Sequence, residues 1–237
     1  SIVIPALNEE GEVGQLVTLL KRNGGDQVAE IIVVDGGSND QTVDEARLAG
    51  AAVCQPDLPD GACRAHQMNA GAALCSGDLL WFVHADTRPP ATFCSDLTQA
   101  WQAQEDFGSY AFRFISDRLI LRMTSWFTRF RSLMVRGGDQ TLFVRREVWQ
   151  EVGQFDPDFV VMEEYEWMQR AEKRGYRFHR MPGSVAVSAR KHSERNYFKV
   201  QYANWKAFRM FRRGENPEDI KTFYHGALER AKHKTNG

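Results

Sequence analysis

Three short apolar segments in the first third of the chain each end in a cluster of polar residues. This pattern constrains the fold more than any other feature. The segments cover residues 2–4, 31–34 and 79–83. Short apolar runs bounded by turn residues are typical of strands buried on both faces, as in a parallel sheet. A shorter strand is predicted at 51–54, and helices at 13–20, 40–48 and 63–75. Strands that alternate with helices indicate parallel pairing and right-handed crossovers.

The second half of the chain continues with a less regular alternation. We predict strands at 107–114, 140–145, 177–179 and 185–187, and helices at 117–136, 163–175, 196–213 and from Pro217 onward. The fold class is therefore α/β, with a Rossmann-like, mostly parallel sheet flanked by helices and a helical C-terminal segment. We expect one domain over 1–237, in which residues 1–100 and 101–195 form the two halves and residues 196–237 form C-terminal helices.

Charge and composition exclude several classes of function. The 237 residues include 30 basic and 31 acidic ones, a formal net charge of −1, so no nucleic-acid partner is expected. The four cysteines form no C-x-x-C pair, which favours reduced, buried thiols. No apolar run approaches the roughly 20 residues of a membrane-spanning helix, and no signal peptide is visible. These features predict a cytoplasmic protein.

The polar clusters are predicted to meet at one edge of the sheet. Ligands of open α/β sheets bind in the crevice at the carboxyl ends of the strands. Asn8, Glu9, Asp35 and Asp86 all follow predicted strands and should converge there. Several carboxylates in one place require a cation, a set of ligand hydroxyl groups, or both. The chain is therefore predicted to be an enzyme.

Asp35 ends the second apolar strand and precedes Gly36 and Gly37. A carboxylate beside glycines, which let a ligand approach the backbone closely, is suited to binding a ribose or a base edge. The alternative is that Asp35 caps the following turn, as aspartates often do.

The H-A-D segment after the third apolar strand is a candidate metal site. Acids spaced i, i+2 can hold a divalent ion between the protein and a diphosphate, because hard cations prefer oxygen ligands. Here the first position is His84, so Asp86 is the oxygen donor and His84 a second candidate ligand. The alternative is that Asp86 and Thr87 cap the helix that follows Pro89–Pro90.

Two regions of the second half contain candidate general bases. Glu163 and Glu164 open a predicted helix. Adjacent acids at this position often only complement the helix dipole, but one of them could instead take a proton from an attacking hydroxyl group. Asp139, after Gly137–Gly138, is a second candidate base or hydroxyl binder.

A basic cluster follows the strand predicted at 185–187. Arg190 and Lys191 could neutralise a diphosphate leaving group, and His192 is a further candidate metal ligand. For Lys191 a solvated surface position is an equally good interpretation.

Taken together, several motifs of the chain resemble those of the family 2 glycosyltransferases of the GT-A fold. The matching segments are P-A-L-N-E-E, V-V-D-G-G-S-N-D-Q-T, R-A-H-Q-M-N-A-G, H-A-D-T, G-G-D-Q and the E-E pair before a helix. The order and spacing of the first two with H-A-D-T are specific, whereas G-G-D-Q and E-E alone are not. The S-A-R-K-H segment and the C-terminal M-F-R-R-G-E-N-P resemble the bacterial subgroup named for arsenosugar-type biosynthesis.

The resemblance implies roles for individual residues. A nucleoside diphosphate, most often UDP, would be bound by Pro5, Asn8, Glu9, Asp35, Gly36, Arg64 and Asp86. Asp86 would hold Mg²⁺ or Mn²⁺ at the diphosphate, and Glu164 would be the base of an inverting displacement. The chain departs from the family pattern twice: His84 replaces the first acid of the usual Asp-x-Asp, and Glu164 replaces the usual Asp.

The sequence also bears on three alternatives to a glycosyltransferase. A sugar nucleotidyltransferase would have a glycine-rich, arginine-containing loop after the first strand, and P-A-L-N-E-E has none. A dinucleotide-dependent oxidoreductase would need G-x-G-x-x-G, which is not present. A nucleotide-sugar binding protein without metal chemistry is consistent with His84.

The predicted acceptor depends on whether the helix at 117–136 packs in the core or lies on a membrane. Its apolar stripe adjoins a second stripe of arginines at positions 118, 122, 129 and 136. A core-packed helix would favour a small-molecule acceptor. A helix lying on the inner membrane face would favour a lipid-linked one.

Overall fold

The parallel part of the predicted sheet is present. The computed structural model describes residues 1–57, 63–115, 141–188 and 197–231. Its first four strands are β1 (Ile2–Ala6), β2 (Ile31–Asp35), β3 (Ala52–Cys54) and β4 (Leu79–Phe82). β1 pairs in parallel with both β2 and β4, and β2 pairs in parallel with β3. The intervening helices are α1 (Val13–Gly24), followed by a 3₁₀ turn at Gly25–Gln27, then α2 (Thr42–Leu48) and α3 (Arg64–Leu74).

The second half of the chain extends the same sheet with mixed polarity. It adds β5 (Thr87–Arg88), β6 (Phe107–Ile115), β7 (Leu142–Arg145) and β8 (Phe178–Ser188). The strand order among the described residues is β3-β2-β1-β4-β7-β6-β8-β5. β7 is antiparallel to β4 and β6, and β8 is parallel to β6 and antiparallel to β5. The α/β class with a mostly parallel sheet and C-terminal helices is therefore confirmed.

Five further helices complete the described part of the chain. They are α4 (Phe93–Gln102), α5 (Arg146–Val152), α6 (Glu163–Lys173), α7 (Tyr197–Arg212) and α8 (Pro217–Ala231). The separate strands predicted at 177–179 and 185–187 are one strand, β8. A register shift opposite Ser109–Ala111 and the positive φ of Gly183 (80°) let this strand continue past Pro182. The helix predicted at 117–136 lies outside the described residues.

Both faces of the parallel strands are buried, as the continuous apolar runs predict. Ile2, Ile4 and Val33 pack into one core, whereas Val3 and Val34 pack into a second core on the opposite face. α3 covers the second face very closely. A Cβ at Gly71 would lie 2.4 Å from Val3 Cγ1 and 2.8 Å from Val34 Cγ2. Only glycine fits this contact, which fixes α3 against the ends of β1 and β2.

The two C-terminal helices pack on α6 through a third, smaller cluster. Its buried members are Tyr165 of α6, Ala207 and Phe211 of α7, and Ile220 of α8. Within the described ranges, no helix is both long enough and apolar enough to cross a membrane.

Candidate active site

The loops that follow β1 and β2 form one unit at the carboxyl edge of the sheet. The register pairs Ala6 with Asp35, so the two strands end at the same level. The Asn8 N–H donates to Ser38 Oγ (2.9 Å), and Asn8 Oδ1 accepts from the Asn39 N–H (2.9 Å). This exchange holds Asn8 in the left-handed region at φ 52°, where asparagine is tolerated better than most residues.

Gln67 of α3 links the ends of β1 and β2 by hydrogen bonds. Its buried side-chain amide donates to the carbonyl oxygens of Ala6 (2.8 Å) and Val34 (3.0 Å). A neutral amide that satisfies two backbone carbonyls in a buried position stabilises the strand ends. Sequence reasoning did not single out Gln67 as a site residue, although it lies in the R-A-H-Q-M-N-A-G motif.

Asp35 is only 1% exposed, at the base of this loop unit. Its carboxylate accepts from the N–H groups of Gly37 (3.3 Å) and Ser38 (3.2 Å) and from Gln55 Nε2 (3.3 Å). The turn-capping alternative is therefore observed. The same contacts fix the carboxylate at the strand end, and its role in nucleotide binding remains a prediction.

The segment after β4 presents His84 and Asp86 at the same edge. Val83 N–H donates to Val3 O (2.9 Å), which continues the β1–β4 pairing as far as this segment. The Thr87 N–H then donates to His84 O (3.0 Å), and this tight turn leaves Asp86 4% exposed. Arg88 also closes the turn, by donating to Ala85 O (3.2 Å).

The two glutamates at the start of α6 are buried next to these strand ends. Glu163 is fully buried and Glu164 is 4% exposed. The preceding residue, Met162, has φ 78° and ψ 17°. A methionine in the left-handed region is strained by about 1–2 kcal/mol. Strained backbone of this kind is concentrated at active sites, ligand clamps and switch regions.

Each glutamate contacts a residue of the first half of the chain. Arg64 Nε of α3 donates to Glu163 Oε1 in a close ion pair. His84 Nε2 lies 3.5 Å from Glu164 Oε1. These contacts join α6 to the segment after β4 and to α3. Glu163 Oε2 is buried without a hydrogen-bond partner among the described residues.

The surroundings shift the two carboxyl groups in opposite directions. Burial raises the pKa of Glu163, with the like charge of Glu164 as a further cause, against the opposing pull of Arg64. Burial also disfavours the ionised form of Glu164. However, the charge of Arg64 and the hydrogen bond from His84 outweigh it and hold the pKa of Glu164 below its usual value. Glu164 is thus ionised at neutral pH and holds its proton less strongly than Glu163 does.

The donors near Asp86 are compatible with a divalent metal that is shared with a ligand. The described residues contain no group of three or more protein donors that could enclose an ion. Mg²⁺ is commonly held by one or two carboxylates while substrate phosphates and water supply the remaining oxygens. Buried Asp86 fits that arrangement. His84 adds an imidazole nitrogen, which Mn²⁺ accepts more readily than Mg²⁺ does.

The structure brings together some of the predicted site residues. Those placed at this edge are Pro5, Asn8, Glu9, Asp35, Gly36, Arg64, His84, Asp86, Glu163 and Glu164. Asp139, Arg190, Lys191 and His192 lie outside the described residues, so their roles remain predictions.

An open α/β sheet with carboxylates at its carboxyl edge is typical of nucleotide-binding enzymes. A sequence profile of glycosyl transferase family 2 matches residues 1–147. The chain belongs to this family.

Curated relatives match shorter stretches. Glucosyl-3-phosphoglycerate synthase of Mycolicibacterium smegmatis is 38% identical over 95 residues, which are 38% of this chain and 31% of that protein. An uncharacterised glycosyltransferase of Mycobacterium tuberculosis is 48% identical over 65 residues, 25% of this chain and 22% of that one. The chain thus spans about a third or less of the length of these relatives.

Solved structures share the fold over more of the chain. Mycobacterium tuberculosis glucosyl-3-phosphoglycerate synthase, in complex with Mn²⁺, UDP and glucosyl-3-phosphoglycerate, has a TM-score of 0.61 at 18% identity. The alignment covers 90% of this chain and 79% of that one. S. aureus TarS has a TM-score of 0.56 at 16% identity, over 79% of this chain and 34% of its own.

Proposed function

We propose that the protein transfers a sugar from a nucleoside diphosphate sugar to an acceptor hydroxyl group with inversion at the anomeric carbon. The observation that supports this most is the pair of contacts that joins the two halves of the site. Through Arg64 and His84, the first half of the chain holds two buried carboxylates against α3 and the segment that contains Asp86. The proposed division is nucleotide binding by 1–100, catalysis and acceptor binding by 101–195, and C-terminal helices at 196–237.

Glu164 is the proposed general base. Its pKa lies below the usual value, so it is ionised at neutral pH and can accept the proton of the acceptor hydroxyl. The acceptor oxygen then forms a bond to the anomeric carbon as the bond from that carbon to the diphosphate oxygen breaks. The nucleoside diphosphate leaves with the bonding electrons. Asp139 remains the alternative base.

His84 and Glu163 are proposed to position the reacting groups. His84 lies against Glu164 and orients its carboxylate, while Glu163 anchors Arg64 beside the nucleotide. Held by Asp86, with His84 and His192 as further candidate ligands, Mg²⁺ or Mn²⁺ would neutralise charge on the leaving diphosphate. Arg190 and Lys191 are proposed to do the same electrostatically.

The proposed donor is a UDP-sugar, with UDP-glucose as the first to test. Support comes from structural relatives whose complexes contain UDP with Mg²⁺ or Mn²⁺. A further complex of that synthase contains Mn²⁺, UDP-glucose and phosphoglyceric acid, so small anionic hydroxy acids are the first acceptors to test. The subgroup implied by S-A-R-K-H and a lipid-linked acceptor also remain predictions.

The assignment is tested by separating donor binding from turnover. Thermal shift with UDP-, GDP-, dTDP- and CDP-sugars, with and without Mn²⁺, identifies the nucleobase of the donor, because a ligand that binds only the native state raises the apparent stability. Glu164→Gln should keep the UDP-sugar shift and lose roughly 10²–10⁴-fold in turnover. Asp35→Ala should lose the shift itself, with or without metal.

Four outcomes would each contradict part of the proposal. Full activity of Glu164→Gln together with an inactive Asp139→Asn would assign the base to Asp139. An unchanged UDP shift in Asp35→Ala would remove Asp35 from the nucleotide site. If the shift occurs but no variant or metal supports turnover, the protein is the nucleotide-sugar binding protein favoured by His84. Retention of the donor's anomeric configuration, measured by NMR, would reject an inverting displacement.

A further inference from the structure

Helix α7 presents an aromatic and basic stripe to solvent on the side away from the third core cluster. The stripe follows the spacing i, i+4, i+7, i+11, i+14 and consists of Phe198, Tyr202, Trp205, Arg209 and Arg212. Its aromatic members are 70%, 55% and 47% exposed, in that order. The opposite side of the helix, with Ala203 and Ala207, is fully buried.

The charged residues of α7 are all basic. The helix contains four basic residues, at positions 199, 206, 209 and 212, and no acidic residue, in a chain whose net charge is −1. Arg213 follows directly. The acids next to it lie beyond the helix: Glu215, whose carboxylate is 4.0 Å from Arg213, and Glu218, which pairs with Lys221.

The cationic side chains lie along aromatic rings. Arg209 Cζ is 5.4 Å from the centroid of the Trp205 ring, and Lys206 Nζ is 4.4 Å from that of Phe223 in α8. These contacts border an open groove of about 490 Å³ between α7 and α8. The face therefore combines amphipathic rings with cations at the same level, which is the composition found at the boundary between headgroups and acyl chains.

We propose that this face of α7 docks on an anionic membrane surface. Its arginines would contact lipid headgroups while Tyr202 and Trp205 enter the interface. From Phe198 to Arg212 the stripe extends about 21 Å at the rise of an α-helix, which is longer than a single small anion requires. A second copy is disfavoured as the occupant, because pairing two such faces would bring like charges together. The proposal is independent of the glycosyl transfer proposed above and of the helix predicted at 117–136.

Co-sedimentation with vesicles tests the proposal. The full chain should bind phosphatidylcholine vesicles that contain 30% phosphatidylserine, taken as roughly physiological anionic content, far better than pure phosphatidylcholine. Binding should weaken as salt is raised towards 1 M, where the Debye length falls to about 3 Å. Arg209→Gln/Arg212→Gln should weaken the partition coefficient by roughly 30-fold, from about 1 kcal/mol per basic residue. Lys173→Gln/Arg174→Gln, which removes the same charge from the exposed end of α6, is the matched control and should bind like wild type.

Tryptophan fluorescence provides a second measurement. Anionic vesicles should shift the emission of the wild type to shorter wavelength, and Trp205→Phe should lose most of this shift while still sedimenting with the vesicles. The other five of the six tryptophans are unchanged in this variant. All these substitutions lie at exposed positions, so thermal unfolding should stay close to that of wild type.

The proposal would be overturned if the wild type did not bind anionic vesicles, or if it bound neutral vesicles equally well. It would also be overturned if the α7 variant and its α6 control lost binding alike, or if the α7 variant bound as well as wild type, which would place the contact elsewhere. A last contrary result would be sedimentation velocity or a labelled oligonucleotide showing self-association or nucleic-acid binding through these arginines, with no binding to vesicles.

Discussion

At the scale of single residues, the adjacent glutamates of α6 have the same side chain but different electrostatic surroundings. Glu163 lies fully buried against one guanidinium, with its second oxygen lacking a hydrogen-bond partner among the described residues. Glu164 faces His84 and stays ionised. Two carboxyl groups this close together repel each other when both are ionised. The repulsion is smaller when one group holds its proton more strongly than the other. The pair thus provides one carboxyl group that anchors Arg64 and one that we propose as the general base.

The raised pKa of Glu163 gives a prediction for stability against pH. The native state binds this proton more tightly than the unfolded chain does. The stabilisation that results is complete below the unfolded pKa and is lost as the pH rises through the native pKa. Glu163→Gln has no carboxyl group to ionise, so the variant does not lose this stabilisation as the pH rises. We therefore expect the free energy of unfolding of the variant, relative to wild type, to increase as the pH rises above about 4, the ordinary pKa of a glutamate in an unfolded chain.

Urea unfolding at several pH values measures this difference. Glu218→Gln, at an exposed position of α8, is the control and should follow the wild-type pH dependence. A Glu163→Gln difference that is flat or that falls with increasing pH would show that Glu163 has no raised pKa.

At the scale of secondary-structure elements, the loop between α5 and α6 is held by side chains from two helices. Asn69 of α3 donates through Nδ2 to Phe155 O (2.9 Å) and accepts from the Phe155 N–H at Oδ1 (3.0 Å). Trp167 Nε1 of α6 donates to Gly153 O (2.7 Å), and Arg170 donates to Val152 O (2.8 Å). The loop is therefore fixed from α3 and α6 before the chain enters α6 at the glutamate pair.

Removing the Asn69 amide should loosen this loop. Asn69→Ala leaves a buried N–H and a buried carbonyl of Phe155 without partners, and each costs about 1–3 kcal/mol. We expect a destabilisation of about 2–4 kcal/mol by urea unfolding, and a fall in turnover that exceeds any change in UDP binding. Asn39→Ala, at an exposed position, should leave stability within about 0.5 kcal/mol. Equal stability of the two variants would show that the Asn69 contact contributes nothing.

At the scale of the whole molecule, the C-terminal helices support α6 from the side opposite the sheet. Phe211 of α7 packs edge-on against Phe159 (5.8 Å between ring centroids) and tilted against Tyr165 of α6 (6.3 Å). Tyr165 directly follows the glutamate pair. The position of Glu164, the proposed general base, therefore depends on packing by residues some 45 positions further along the chain.

Phe211→Ala tests this long-range support. Truncation of a buried phenylalanine costs about 3–5 kcal/mol. Below the unfolding transition, we expect kcat to fall while UDP affinity, which we propose is set at β1, β2 and β4, stays within about twofold. Tyr202→Ala, exposed on the same helix, should leave both stability and kcat near wild type. Equal loss of UDP affinity and kcat in Phe211→Ala would indicate general loosening rather than support of α6.

The sequence by itself determined the parallel half of the fold and the residues at its carboxyl edge. Residues 2–4, 31–34 and 79–83 are apolar without alternation because both faces of each strand are covered, and a parallel sheet places all their polar ends on one edge. Asn8, Asp35 and Asp86 could thus be identified from local pattern alone.

Only the tertiary structure decided what these side chains contact. Spacing could not reveal that β7 joins β4 in antiparallel orientation, because strand direction is set by long-range pairing and not by local periodicity. Nor could it reveal that Arg64 meets Glu163, or His84 meets Glu164, across 99 and 80 positions of the chain. The different pKa shifts of two identical neighbours follow from those contacts and from burial. Both are properties of packing in three dimensions, because desolvation and charge pairing depend on distance in space rather than along the chain.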